Sequence, residues 1–107
     1  MAHTSKVLYF NQLNNVLGTI LAPSGVKYHI QNVKLCNINT VEETVEFDYD
    51  DGVVGPFYTD KIKVGAGESV SLDYIGCGDV VEDGHVIQGK STTAAMVTCK
   101  ISGFEVS

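Results

Sequence analysis

Cys77, Asp79, Asp83 and His85 stand close together in the chain, and their types could cooperate in nucleophilic chemistry. A cysteine nucleophile needs a base within hydrogen-bond reach and a third group that orients the base. These candidates, however, fall in Gly76-Cys77-Gly78-Asp79 and beside Asp83-Gly84, stretches with the glycine and aspartate content of turns. Polar side chains in the turns of a small domain are by default solvated, so no catalytic residue is assigned. The densest carboxylate cluster, Glu42, Glu43, Glu46, Asp48, Asp50 and Asp51, raises calcium binding, because hard cations take several oxygen ligands. Counted as a calcium loop from Asp48, the chain puts Gly52 at a ligand position and Thr59 where the closing acidic residue belongs. The cluster therefore reads as the solvated outer face of a hairpin, where like charges also discourage edge-to-edge pairing. Asp79, Glu82 and Asp83 read the same way.

His3, His29 and His85 are scattered, and neither a CxxC nor an HxxxH pair occurs, so a zinc site is not expected. Cys36, Cys77 and Cys99 are odd in number and widely spaced, which points to free thiols rather than a disulfide framework. Neither Gly65-Ala66-Gly67 nor Gly76-Cys77-Gly78 completes a phosphate-binding motif. No metal or cofactor is expected.

The elements that would carry such residues are strands. Residues 41–50 place Val45, Phe47 and Tyr49 on one face and Glu46, Asp48 and Asp50 on the other, the signature of a half-buried antiparallel strand. Asp51-Gly52 then predicts a tight turn, with residues 54–64 returning beside them. In residues 26–38 the alternation Tyr28, Ile30 slips phase to Val33, Leu35, which predicts a β-bulge at Gln31-Asn32. Residues 16–22 read as a short strand closed by Pro23-Ser24-Gly25 in a hairpin-like connection. Val70, Leu72 and Tyr74 alternate with serines and Asp73, and another short strand covers residues 85–88. The final run puts Ala95, Val97, Cys99 and Ile101 on one face and is expected to be the longest strand, with a bulge at Gly103. Short strands between turns, with no helical stretch, predict an all-β antiparallel sandwich with jelly-roll-like connections. Residues 1–15 form an N-terminal arm or edge strand, and residues 16–107 the single sandwich domain.

A length of 107 residues and a hydrophobic content of 44% suit one domain with one core. Seven basic against thirteen acidic side chains give a net charge of −6, which repels phosphate backbones and anionic lipid. Nucleic acid and membranes are thus poor partners. No apolar run approaches the ~20 residues that span a bilayer, and residues 1–10 lack a signal-type pattern, so synthesis in the cytosol is expected.

The succession TILAPSGVKYHIQNVKLCNIN, a charged hairpin, IKVGAGESVSLDY and VVEDGHVIQGKSTTAAMVTCKISGFEV resembles a family of small virion proteins of tailed bacteriophages. The resemblance covers residues 19–106 and rests on turn and core signatures. It implies a β-sandwich component of a phage particle, on the capsid exterior after synthesis in the host bacterial cytoplasm. The implied role is that of a capsid decoration or cement protein bound to the major capsid protein, with no catalytic residues carried over. A tail, neck or fibre-associated module contacting other virion proteins or a host-surface carbohydrate is the alternative. Closed symmetry favours a homo-oligomer, with a trimer expected at the three-fold sites of a capsid lattice. Exposed aromatics anchor interfaces, which singles out Tyr9, Phe10, Phe57 and Tyr58, with Leu13 at the end of the arm, while Phe57 and Tyr58 equally suit plugging the end of their own sandwich. The arm would add a strand to a neighbour's sheet.

Overall fold

A computed structural model describes residues 5–51, 56–73 and 80–106, with the side chains of residues 56–59 left undescribed. Among the described residues there is no helix, and nine strands follow one another in sequence. They are β1 (Lys6–Gln12), β2 (Gly18–Leu21), β3 (Lys27–Asn37), β4 (Glu43–Asp50), β5 (Pro56–Val64), β6 (Ser69–Leu72), β7 (Val80–Val81), β8 (Val86–Ser91) and β9 (Val97–Val106). Two antiparallel sheets result. One has the order β1-β9-β3-β6, with β7 on the same edge of β3 as a continuation beyond β6, and the other has the order β2-β8-β4-β5.

Period-two alternation aims one face of each sheet at a shared core. Val33, Leu35, Val97, Cys99 and Ile101 from the first sheet and Val45, Phe47, Val64 and Ile87 from the second are fully buried in one cluster. Each such side chain contributes about 1.5–3 kcal/mol of burial free energy. On the outer face of the first sheet, Gln12, Thr98, Cys36 and Ser69 lie in register as one row, and Phe10, Lys100, Lys34 and Ser71 as the next.

The bulge predicted in β3 is present, with the β3–β9 register shifting between Ile30 and Asn32. A second shift, between Val7 and Tyr9 of β1, falls opposite the same part of β9. Both neighbours of β9 are therefore bulged beside Gly103, where an added Cβ would run into the His29 carbonyl oxygen and come within 3.1 Å of Leu8 Cδ1. A side chain is excluded at that point, because bulged backbone from β3 occupies the space.

Three expectations need correction. The Pro23-Ser24-Gly25 turn does not make a hairpin, since β2 pairs with β8 and β3 with β9 in the other sheet. Local turn chemistry reverses the chain, but the exposed and buried faces of the flanking strands decide which sheet receives it. The longest strand is β3, with 11 residues, rather than β9, with 10. Ala95 precedes β9 in a turn with φ of 62°, held there by its N–H on the Leu13 carbonyl at 2.9 Å. A left-handed alanine costs about 1 kcal/mol, which surrounding contacts must offset.

Candidate interaction surface

The strand order gathers four connections, residues 13–17, 38–42, 65–68 and 92–96, at one end of the two sheets. Each is tied to its neighbours by the backbone. Leu13 N–H donates to Val97 O at 2.8 Å, Ser91 N–H to Asn14 O at 2.9 Å, Ile38 N–H to Met96 O at 2.9 Å and Asn37 N–H to Glu68 O at 2.9 Å. Two buried polar side chains complete the fastening.

Asn37 closes β3, and its amide Nδ2 donates to the carbonyls of Val41, Val64 and Gly65 at 2.9, 3.0 and 3.2 Å. Its Oδ1 accepts from Asn39 N–H at 2.8 Å. Glu43, 1% exposed, opens β4 and reaches across to the next connection. Its carboxylate accepts from Thr93 N–H at 2.8 Å, Thr93 Oγ1 at 2.9 Å and Asn39 Nδ2 at 3.1 Å. Burial pushes this carboxyl's pKa up, but the Thr93 backbone and hydroxyl donors and the Asn39 amide outweigh it, leaving the value below the ordinary 4.5. A hydrogen-bonded anion thus locks two connections together.

This rigid end carries exposed aliphatic side chains. Val16 is 64% exposed, Ile38 61% and Val41 57%, with Leu17 beside Val16. Exposed Ala94 and Ala95 lie on the connection between the two pairs. Single exposed apolar residues are normal, but a group raised on pinned loops at one end of a domain has the character of a contact surface.

The residues singled out from sequence are placed differently. Phe10 is 65% exposed on the outer face of β1, with Lys100 Nζ 5.6 Å from its ring centroid. Tyr9 is half-buried against the core, where burial and the neighbouring Cys99 raise its phenol pKa. Leu13, expected at an interface, is 2% exposed within its own chain, because the connection that follows β1 folds back under Val97 and Ala95. β1 itself lies along β9 as an edge strand. The side chains of Phe57 and Tyr58 lie outside the described residues.

The acidic hairpin is also less solvated than the alternation predicts. Glu43 and Asp48 are buried, and Glu46 is held between Lys61 and Lys90 at 3.8 Å from each. Glu43 falls on the inward face of β4 with Val45 and Phe47, and on the outer face Glu46 is flanked by Lys61 and Lys90 because β4 lies between β5 and β8. Among the described residues Asp48 Oδ1 has no hydrogen-bond partner.

Of the nucleophilic candidates, His85 Nδ1 is 2.7 Å from the Tyr49 hydroxyl, and Asp83 Oδ1 accepts from Gly25 N–H at 2.9 Å. These contacts tie the turn at residues 82–85 to the opposite end of the fold. Cys77 and Asp79 lie outside the described residues. Burial pushes the Cys99 thiol up to about 12, so it is a core group and not a nucleophile. Among the described residues no three His, Cys, Asp or Glu side chains converge as a metal site would require.

Val16, Leu17, Ile38 and Val41 escaped the sequence reasoning because each falls in the end of an expected strand, over residues 16–22, 26–38 or 41–50, whereas β2 starts at Gly18, β3 stops at Asn37 and β4 starts at Glu43. The available signal was an aliphatic residue within an Asn- and Glu-rich connection, as in Asn14-Asn15-Val16-Leu17 and Ile38-Asn39-Thr40-Val41-Glu42. In comparisons with family models, curated proteins and solved structures, nothing matches this chain.

Proposed function

We propose that this chain is a non-enzymatic structural protein of a tailed-bacteriophage particle, a decoration or cement protein that clamps the outer capsid surface. The observation that carries this reading is the loop end, where Ile38 and Val41 stand exposed on a connection pinned by Asn37 and Glu43, and Val16 and Leu17 on one held by backbone hydrogen bonds of Leu13 and Asn14. Aliphatic side chains held rigidly lose little freedom when they dock, so more of their burial free energy goes into binding. Four of them, at about 1.5–3 kcal/mol each when fully buried, suffice for a contact that many copies on one particle make cumulative.

The strand orders β1-β9-β3-β6 and β2-β8-β4-β5 support a jelly-roll sandwich, as do connections that pass from one sheet to the other at six of eight steps. Two antiparallel sheets around one core are consistent with the β-sandwich that the resemblance to phage virion proteins implies. In the proposed assembly the copies form a closed trimer on the capsid exterior, each spanning a junction between major capsid subunits. Sedimentation with capsids of the phage that encodes the chain tests this. The wild-type protein is expected to pellet with them, and a Val16→Asp, Ile38→Asp, Val41→Asp variant to lose at least about a hundredfold in affinity, as removal of several interface anchors does. Equal binding by the two proteins would sink the proposal.

A further inference from the structure

We infer that the outer face of the β1-β9-β3-β6 sheet binds an acidic glycan, a saccharide chain carrying carboxylates or phosphates. The inference does not rest on capsid docking, because the loop end and this face are different surfaces.

Its centre is the row Phe10, Lys100, Lys34 and Ser71, all exposed. Lys34 and Lys100 are directly opposite each other in the β3–β9 register. Like charges in that position destabilise a sheet, and neither lysine has an acidic partner among the described residues. The chain has thirteen acidic side chains with which to neutralise them, yet this row and the row of Gln12, Thr98, Cys36 and Ser69 contain none, and exposed Asp73, two residues beyond Ser71, forms no ion pair with either lysine among the described residues. A protein of net charge −6 thus keeps two lysines paired in one row of this face at a cost to its own folding. Among the described residues the one return within the chain is the contact of Lys100 with the Phe10 ring, which leaves Lys34 unpartnered, whereas an anionic ligand would neutralise both lysines.

The rest of the face indicates which anion. Adjacent strands bring the two lysines to within roughly 5 Å at their Cα atoms, so a single carboxylate or phosphate can accept from both ammonium groups. Ser71, Ser69 and Thr98 offer hydroxyls on either side, suited to the hydroxyls of a sugar. Phe10 presents a ring beside Lys100 on which the apolar face of a sugar can rest. A protein partner would need an apolar centre, and this row has only the one aromatic at its edge. The lysines, hydroxyls and lone aromatic favour a polar, charged, chain-like ligand over an acidic protein.

Calorimetric titration with a galacturonate oligomer tests the inference, with amide shifts read in parallel by NMR. Wild-type protein is expected to bind the oligomer, with shifts centred on Lys34, Lys100 and Ser71. The Lys34→Gln, Lys100→Gln variant should bind at least tenfold more weakly while melting no lower than wild type, since the substitutions remove a repulsion. Phe10→Ala should weaken the oligosaccharide without changing the response to inorganic phosphate. A glycerol-phosphate oligomer in place of the uronate identifies the preferred anion, and binding of either supports the site. Failure of the wild type to bind both oligomers would overturn it, as would unchanged affinity in the double lysine variant. Poly-glutamate bound as tightly as the glycan would reassign the face to an acidic protein, and inorganic phosphate bound as tightly would leave an adventitious ion only.

Discussion

Replacing Gly103 with alanine should lower stability by about 3 kcal/mol or more, a large part of the ~5–15 kcal/mol available to a domain of this size. The cause is backbone against side chain. The bulge in β3 directs the His29 carbonyl into the space a Cβ would occupy, and Leu8 of the β1 bulge closes the other side. Relief would require β3 to move off β9, the central pairing of its sheet. Denaturant unfolding followed by circular dichroism should show the midpoint fall sharply. A midpoint within error of wild type would mean that the two bulges can relax independently, contrary to the register described here.

The second large effect is expected at Glu43. Truncation to alanine removes three hydrogen bonds to a buried anion and leaves Thr93 N–H without its acceptor. Hydrogen bonds to charged groups and orphaned buried donors together account for about 3 kcal/mol. The pH dependence has a definite sign. A carboxyl whose pKa is lower in the folded chain than its ordinary 4.5 stabilises the fold above that value, and loses its contribution as pH falls through the folded value. The stability gap between wild type and Glu43→Ala should therefore be full at neutral pH and narrow as the solution is acidified below pH 4.5. A gap that is constant down to strong acid would show that the carboxylate's charge is not what holds the connections. Because residues 38–42 and 92–96 both depend on this anion, the same variant should also dock less well.

How far the sequence revealed this molecule depends on the kind of signal each residue leaves. The β3 bulge was legible because a phase slip in alternation has few other causes, and the β4–β5 pairing because the turn-forming dipeptide Asp51-Gly52, whose glycine lies outside the described residues, separates two apolar runs. The partner of β2 was not legible, since Pro23-Ser24-Gly25 encodes a reversal and carries no information about which sheet the chain enters next. Glu43 looked like one more surface carboxylate. Only the arrival of Thr93, fifty positions further on, makes it a buried fastening. The aromatic preference of interfaces drew attention to Tyr9 and Phe10, whereas the pinned loop end carries aliphatic residues whose prominence depends on topology.

Hydrogen–deuterium exchange on free and capsid-bound protein tests the central claim most directly, because it reports which backbone segments the particle covers. Docking through the loop end predicts added protection concentrated in residues 13–17, 38–42 and 92–96, with β3 and β9 changed little at their opposite ends. Protection concentrated instead on β1 and the outer face of its sheet, with the loop end still exchanging as in the free protein, would contradict the account.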